Sequence, residues 1–408
     1  MRKSLLAMAA LMGVATLPAH AWRVNIDKDT FADIGFSTQI WGRSEGARTT
    51  GTNTSTDHSA TNFYVNLANI TASGQVNKLV YFSINAESPG FRGNFITRDA
   101  FIGMKFADEF RVQAGAMRVP FSRIALTSSY NYIIPTQALG DVFTGLSINP
   151  THAQGVLGDG SRDAGIVVWG NVAGGLLKYY LGVSDGRFDR RGGFFGGNTK
   201  DSLAYTIRLQ FTPTMLGFKP ETGYTLADTY LGRQNVHNIG VGYRVVGVET
   251  TGFANNYTQD AKMLTVDMIY EQKFGDLVPN LQVGYIDAKD VPFNYTAPNV
   301  RYGKATQIYA QGQLLYDQMV GFGKPALAIR FEQNKNKDLR QFNTTTGATA
   351  AIPGEPKNTR IGVFAHYYIK GQAAKVSLGV DSVNRNTDSK GANGRSFTDF
   401  TLHLQTQF

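Results

Sequence analysis

Seven cationic side chains, Arg43, Arg111, Arg208, Arg244, Arg330, Arg360 and Lys375, share one parity of segments in which polar and apolar residues alternate. Asp33, Glu87, Asp267, Glu271, Glu332, Asp381 and Asp399 share it with them. Such groups make and break no bonds by themselves. Arranged around water they sort small ions by sign, and buried without partners they would each cost several kcal/mol. Most members of such a row are solvated or mutually paired wall residues; the sharper reading is that the Arg set forms an anion path.

Two further guanidinium groups, Arg118 and Arg123, stand at the root of the long connection Val119 to Arg162. Between Arg123 and Arg162 there is no Lys or Arg, only Asp141, Asp159 and His152, and the stretch carries Tyr130, Tyr132, Ile133, Ile134, Leu139 and Phe143. These apolar and aromatic residues are poorly placed in bulk water, and a connection of this length is usually functional. Folding it inward would hide them and narrow the passage that the charged row lines. A lid over the mouth, or a contact with a neighbouring molecule, is the alternative.

Bond-making chemistry finds little support. His58, His152, His237, His366 and His403 occur in no HExxH pattern, and GxSxG is absent. The chain has no Cys, which excludes disulfide frameworks, thiolate zinc sites and iron–sulfur clusters. GDGSRD at Gly158 to Asp163 lacks full calcium-ligand spacing, and GVGYRVVG at Gly240 to Gly247 lies within a strand pattern. The enzyme arrangement that remains is a Ser and His pair on an outer wall.

The charged rows require elements with a period of two, since a strand sends successive side chains to opposite faces. Tyr205, Ile207, Leu209 and Phe211 alternate with Ala204, Thr206, Arg208 and Gln210; Leu264, Val266, Met268 and Tyr270 alternate with Thr265, Asp267, Ile269 and Glu271. A soluble β-sandwich would also alternate. Segment length discriminates, because many segments reach the ~9–11 residues that a tilted strand needs to cross the hydrocarbon layer.

Connection length discriminates as well. Val76 to Lys78, Ala107 to Glu109, Val172 to Gly174 and Lys370 to Gln372 are tight, whereas Ser44 to Ala60, Val119 to Arg162, Gly186 to Lys200, Lys289 to Lys304 and Asn334 to Lys357 are long. This is the asymmetry of periplasmic turns and outer loops. Treating Thr212 to Val236 as one longer periplasmic connection makes the count even. The expected strands are 31–43, 62–75, 78–87, 96–106, 110–118, 163–171, 175–185, 201–211, 236–248, 262–273, 280–288, 305–316, 324–333, 358–369, 373–384 and 396–408. Eighteen strands is the alternative count.

Composition agrees: 408 residues with 45 Gly, 12% aromatic and only 17% charged. Residues 1–21 read as an export signal, with Arg2 and Lys3, an apolar run from Leu5 to Leu17, and Ala19-His20-Ala21. Without Arg2 and Lys3 the formal charge of +9 becomes +7, which favours anions weakly. The final strand alternates Phe400, Leu402 and Leu404 with Thr401, His403 and Gln405, then ends on Phe408. An ending of this kind resembles the terminal signal of outer-membrane barrels.

RVQAGAMRVPFSRIALTSSYNYIIP, Arg111 to Pro135, resembles the segment of the phosphate-selective porin O and P family in which a strand leads through Pro-Phe and Thr-Ser-Ser into a constriction loop. The resemblance implies a 16-stranded, trimeric channel for anions. Members specialised for phosphate line their pores with Arg and Lys ladders, whereas this loop is aromatic and nearly uncharged. A general porin, or one for another small oxyanion, is the safer expectation.

The expected architecture is all-β, a 16-stranded antiparallel transmembrane barrel over 22–408, with 119–162 as an inward-folded constriction loop. The expected pore residues are Arg111, Arg118, Arg123, Tyr130, Tyr132, Asp141, Phe143, Arg208, Arg244 and Arg330. Function would be passive diffusion across the bacterial outer membrane, without catalysis, cofactor or metal. The partners would be small hydrophilic or anionic solutes, outer-membrane lipid and two further copies of the chain, with no nucleic acid. The rival reading is a barrel sheathing a partner such as a haem protein of an electron conduit.

Overall fold

The computed structural model describes residues 22–47, 59–89, 95–136, 162–186, 203–249, 254–296, 298–386, 388 and 395–408. Among them, sixteen strands form one closed antiparallel barrel. The first eight are β1 (Phe31–Glu45), β2 (Ala60–Gln75), β3 (Val80–Pro89), β4 (Ile96–Lys105), β5 (Arg111–Arg118), β6 (Arg162–Val172), β7 (Leu177–Ser184) and β8 (Ala204–Phe211). The second eight are β9 (Val236–Glu249), β10 (Thr258–Glu271), β11 (Leu277–Thr296), β12 (Asn299–Tyr316), β13 (Lys324–Asn343), β14 (Lys357–Tyr368), β15 (Ala374–Arg385) and β16 (Phe397–Gln407). Two short strands are added outside the ring: Trp22–Asn25 pairs with β1, and Thr349–Ala351 pairs with β13.

Closure is made by the chain terminus. β16 pairs with β1 from Phe400↔Ser44 to Gln407↔Ser37. Phe36 and Phe408 then exchange backbone hydrogen bonds of 3.0 and 2.9 Å, and their rings lie 5.4 Å apart. No sheet edge is left in the ring, so the backbone polar groups are satisfied between strands.

Side-chain parity follows the sequence. Along β8, Ala204, Thr206, Arg208 and Gln210 are buried inside while Tyr205, Ile207, Leu209 and Phe211 are exposed outside. Ile207 is 43% exposed and its neighbour Arg208 is 0%. Such alternation, apolar outside and polar inside, is the pattern of a transmembrane barrel. At the end with short turns, Phe106, Phe110, Phe211, Phe274, Tyr316, Phe322 and Phe408 stand exposed at or beside strand ends, the position of an interfacial aromatic girdle.

Turn chemistry sets that end. In the β2–β3 turn the Asn77 side chain accepts from the backbone N–H groups of Leu79 and Val80 at 2.9 and 2.8 Å, replacing ladder bonds the turn cannot make.

Two expected connections are strand instead. Lys289 to Lys304 is mostly the β11–β12 hairpin, paired as far as Thr296↔Asn299, and Asn334 to Asn343 continues β13. Irregularities in register between Ala288 and Val291 and between Pro292 and Asn294 break the period of two. The inner row also changes character there: Val291, Val300, Tyr302 and Leu339 pack with Tyr257 in a buried cluster. An apolar row facing inward, offset by a bulge, erased the pattern by which strands are recognised.

Candidate functional site

β5 ends at Arg118 before Pro120, which has no N–H to continue the ladder. Ser122 then caps the one-turn helix α1 (Arg123–Leu126), its hydroxyl accepting from the Ala125 N–H at 3.3 Å. The turn lies hard against the wall: a Cβ at Gly242 of β9 would sit 2.0 Å from the Phe121 carbonyl oxygen, so only glycine admits this approach.

Beyond α1 the chain crosses the barrel interior, and inward side chains take its carbonyl groups one after another. Gln39 Nε2 of β1 donates to Ser129 O at 3.2 Å and Gln405 Nε2 of β16 to Tyr130 O at 2.9 Å. Lys375 Nζ of β15 donates to Tyr132 O at 2.8 Å and Arg330 Nη1 of β13 to Thr136 O at 3.2 Å. Ile133 and Ile134 pack on Ala328 and Phe364. The Tyr130 hydroxyl reaches Asn69 of β2 at 3.3 Å. Tyr130 and Tyr132 are therefore both buried within the barrel.

A second segment meets the first from the opposite end. The connection between β8 and β9 rises into the lumen instead of remaining at the rim. Leu226 N–H donates to Leu126 O at 3.2 Å, and Asp228 N–H to Asn131 O at 3.3 Å. Glu221 receives Arg123 Nη1 and Nη2 at 2.8 and 2.7 Å, with Asn238 at 2.6 Å and Gln210 at 3.2 Å. Burial alone would raise the Glu221 carboxyl, but the Arg123 guanidinium outweighs it and holds the carboxyl at about 2. Asp228 has no such partner. Its Oδ2 accepts from Gln311 at 3.2 Å and from Ile133 N–H at 3.4 Å, and its Oδ1 has no hydrogen-bond partner among the described residues. Burial pushes this carboxyl up to about 6 against the more distant pull of Arg123.

The expected pore arginines divide into two groups. Arg123 pairs with Glu221, Arg208 with Asp267 at 2.6 Å, Arg244 with Asp163 at 3.0 Å and Arg330 with Asp381 at 2.9 Å, all of them buried. Their charge is spent on carboxylates of other strands or of the second segment. Arg111 and Arg118 line a cavity of 450 Å³ against β2 to β6, to which Tyr224 also contributes; Arg111 shares Asp108 with Lys105, at 2.7 and 2.8 Å, and the buried Arg118 donates to Ala125 O at 3.1 Å. Lys78, Lys105, Arg111 and Arg118 are its basic lining residues among those described, against Asp99 as the acid. Asp99 is itself held by Arg162 at 2.8 and 3.0 Å. Asp141 and Phe143, and the export signal at 1–21, lie outside the described residues.

Glu221, Tyr224, Asp228 and Tyr230 were not among the expected site residues. The available signal was two carboxylates among aromatic residues, in a connection of some twenty-four positions at the end where the other turns are tight.

The sequence profile of the phosphate-selective porin O and P family matches residues 43–275, more than half of the chain. The chain belongs to this family. The match runs from β1 through β10 and so includes the crossing segment, the second segment and the cavity. Fold and family are those of channels. An uncharacterized protein of Aquifex aeolicus (strain VF5) is 30% identical over 318 residues, 76% of this porin and 66% of that protein, so this porin spans just under two thirds of that relative's length.

Solved barrels share the fold. Salmonella typhi OmpF in complex with daunomycin is 16% identical, with 95% of this chain and 100% of that chain covered and a TM-score of 0.55. The anion-selective porin from Comamonas acidovorans is 11% identical, with 92% and 100% covered and a TM-score of 0.55. The outer membrane channel DcaP of Acinetobacter baumannii is 10% identical, with 95% and 100% covered and a TM-score of 0.55.

Proposed function

We propose that this porin resides in the bacterial outer membrane, delivered there by residues 1–21, and gives passive diffusion to small hydrophilic solutes with a weak preference for anions. The lipid-facing row and the aromatic girdle support the location, with the short turns on the periplasmic side. The preference rests on one observation: the cavity left beside the crossing segment is lined by Lys78, Lys105, Arg111 and Arg118 against Asp99, and it stays net positive with Asp108, the carboxylate that Lys105 and Arg111 share, counted in. Charges of one sign in a low-dielectric wall raise the local concentration of the opposite ion.

The constriction is the segment that begins at Val119, and it displaces the path toward β2 to β6. Its cation among residues 119–136 is Arg123, engaged by Glu221, so no ladder for phosphate is offered there. Chloride and other small anions are the expected solutes, without discrimination in favour of phosphate. The family resemblance supports a trimer. The sheath reading is disfavoured because the chain's own two segments occupy the space a partner would need.

Reversal potentials across a planar bilayer in a KCl gradient test this reading. Chloride should permeate faster than potassium, and Arg118→Gln combined with Lys105→Gln should move the potential toward zero. Cation preference in the unaltered protein would overturn it.

A further inference from the structure

The cavity lined by Arg111 and Arg118 carries two features side by side among uncharged polar side chains such as Ser83, Asn85 and Gln113. One is the set of cations. The other is aromatic: Trp169 of β6 and Tyr224 of the second segment meet edge to face at 5.5 Å, and Tyr81 of β3 and Phe101 of β4 do so at 6.4 Å. The rings are held in place. The Tyr224 hydroxyl donates to Arg118 O at 2.7 Å, and the Arg111 guanidinium lies 4.5 Å above the Trp169 ring. The two features are thus joined through the residues that make them.

That combination selects among anions. An inorganic oxyanion would use the cations and the polar side chains Asn77, Ser83, Asn85 and Gln113 but leave the rings unused. A neutral ring compound would leave the cations unused. A flat ring bearing a carboxylate engages both, its ring against Tyr81, Phe101 and the edge of Trp169, whose faces Tyr180 and Arg111 cover, and its charge toward Arg118 and Arg111. The volume of 450 Å³ lies within the roughly 300–1,000 Å³ usual for small-molecule sites.

We propose that this cavity is a binding site for small aromatic carboxylates on the permeation path. The proposal rests on the porin reading above and names a solute class for it. Specificity arises from the aromatic side chains, while the cations supply attraction shared by every anion.

The test uses the full-length protein in planar bilayers, with chloride current measured while benzoate, cyclohexanecarboxylate or inorganic phosphate is added. Benzoate should block at a concentration about fivefold lower than cyclohexanecarboxylate, the factor expected of one aromatic contact. It should also block more strongly than phosphate. Trp169→Leu should erase the difference between the two carboxylates, and Trp169→Phe, which keeps a ring, should retain it. Equal block by benzoate and cyclohexanecarboxylate, or stronger block by phosphate, overturns the proposal while the conducting protein keeps the porin reading. Tryptophan fluorescence of the detergent-solubilised protein separates the remaining cases. A protein that passes no current yet shows a saturable, Trp169-dependent response to benzoate keeps the site and loses the porin reading; neither current nor response overturns both.

Discussion

Arg123 and Glu221 form a two-point ion pair, at 2.8 and 2.7 Å, between two connections that enter the barrel from opposite ends. Both side chains are shielded from solvent, and Asn238 and Gln210 satisfy the carboxylate further. The pair ties the crossing segment to the short-turn end of the barrel. Breaking one partner leaves the other charge buried and alone, which costs about 3–5 kcal/mol, whereas removing both costs far less.

Glu221→Gln should therefore lower the unfolding free energy by several kcal/mol and raise conductance as the crossing segment loosens. Arg123→Met combined with Glu221→Leu should recover much of the stability. Denaturant unfolding in detergent, alongside single-channel recording, checks both. The wild-type pair should survive mild acid. With its folded value depressed to about 2, Glu221 contributes stability above its unfolded value, and that contribution fades only as pH falls toward about 2.

Asp228 has the opposite sign. Its folded value is raised to about 6, so the protonated carboxyl is the better-tolerated form in the fold. Its contribution is most favourable below the unfolded value near 4 and is lost as pH rises through about 6. Asp228→Asn should stabilise the protein on the order of 3 kcal/mol at pH 8 and hardly at all at pH 4. Unfolding free energies of both proteins at the two pH values decide it. A constant difference would remove the assignment.

Gly242→Ala places a Cβ 2.0 Å from the Phe121 carbonyl oxygen, where backbone has to move. The expected cost is about 1–3 kcal/mol. Conductance should change with it, because Phe121 leads directly into the crossing segment. Unfolding midpoints and single-channel recordings check the two effects, and an unchanged protein would show that the segment is not seated against β9.

Strand parity was legible in the sequence because lipid outside and polar groups inside impose opposite demands on adjacent residues. β8 shows it in four consecutive pairs, and the closing strand through Phe408 shows it again. Parity also put Arg208 and Arg330 inside. It could not say that Asp267 and Asp381 neutralise them, because alternation within a strand carries no information about partners two strands away. The strands β11 and β12 were legible, but their extension over 289–304 was read as a loop, because Val291 and Val300 turn apolar residues inward there. The rise of Glu221 into the lumen was missed because a connection rich in turn residues reads the same whether it lies at the rim or folds back.

On the proposed function, water and solute pass beside β2 to β6 while the opposite half of the lumen is filled. A chain without Cys permits a background-free test. Ser83→Cys lines the cavity, and Thr265→Cys lies on the buried inner face of β10. A small charged thiol reagent should label Ser83→Cys quickly and reduce its single-channel current, while Thr265→Cys stays unlabelled in the folded protein. Equal labelling of the two, or labelling of Ser83→Cys with no change in current, would contradict the account.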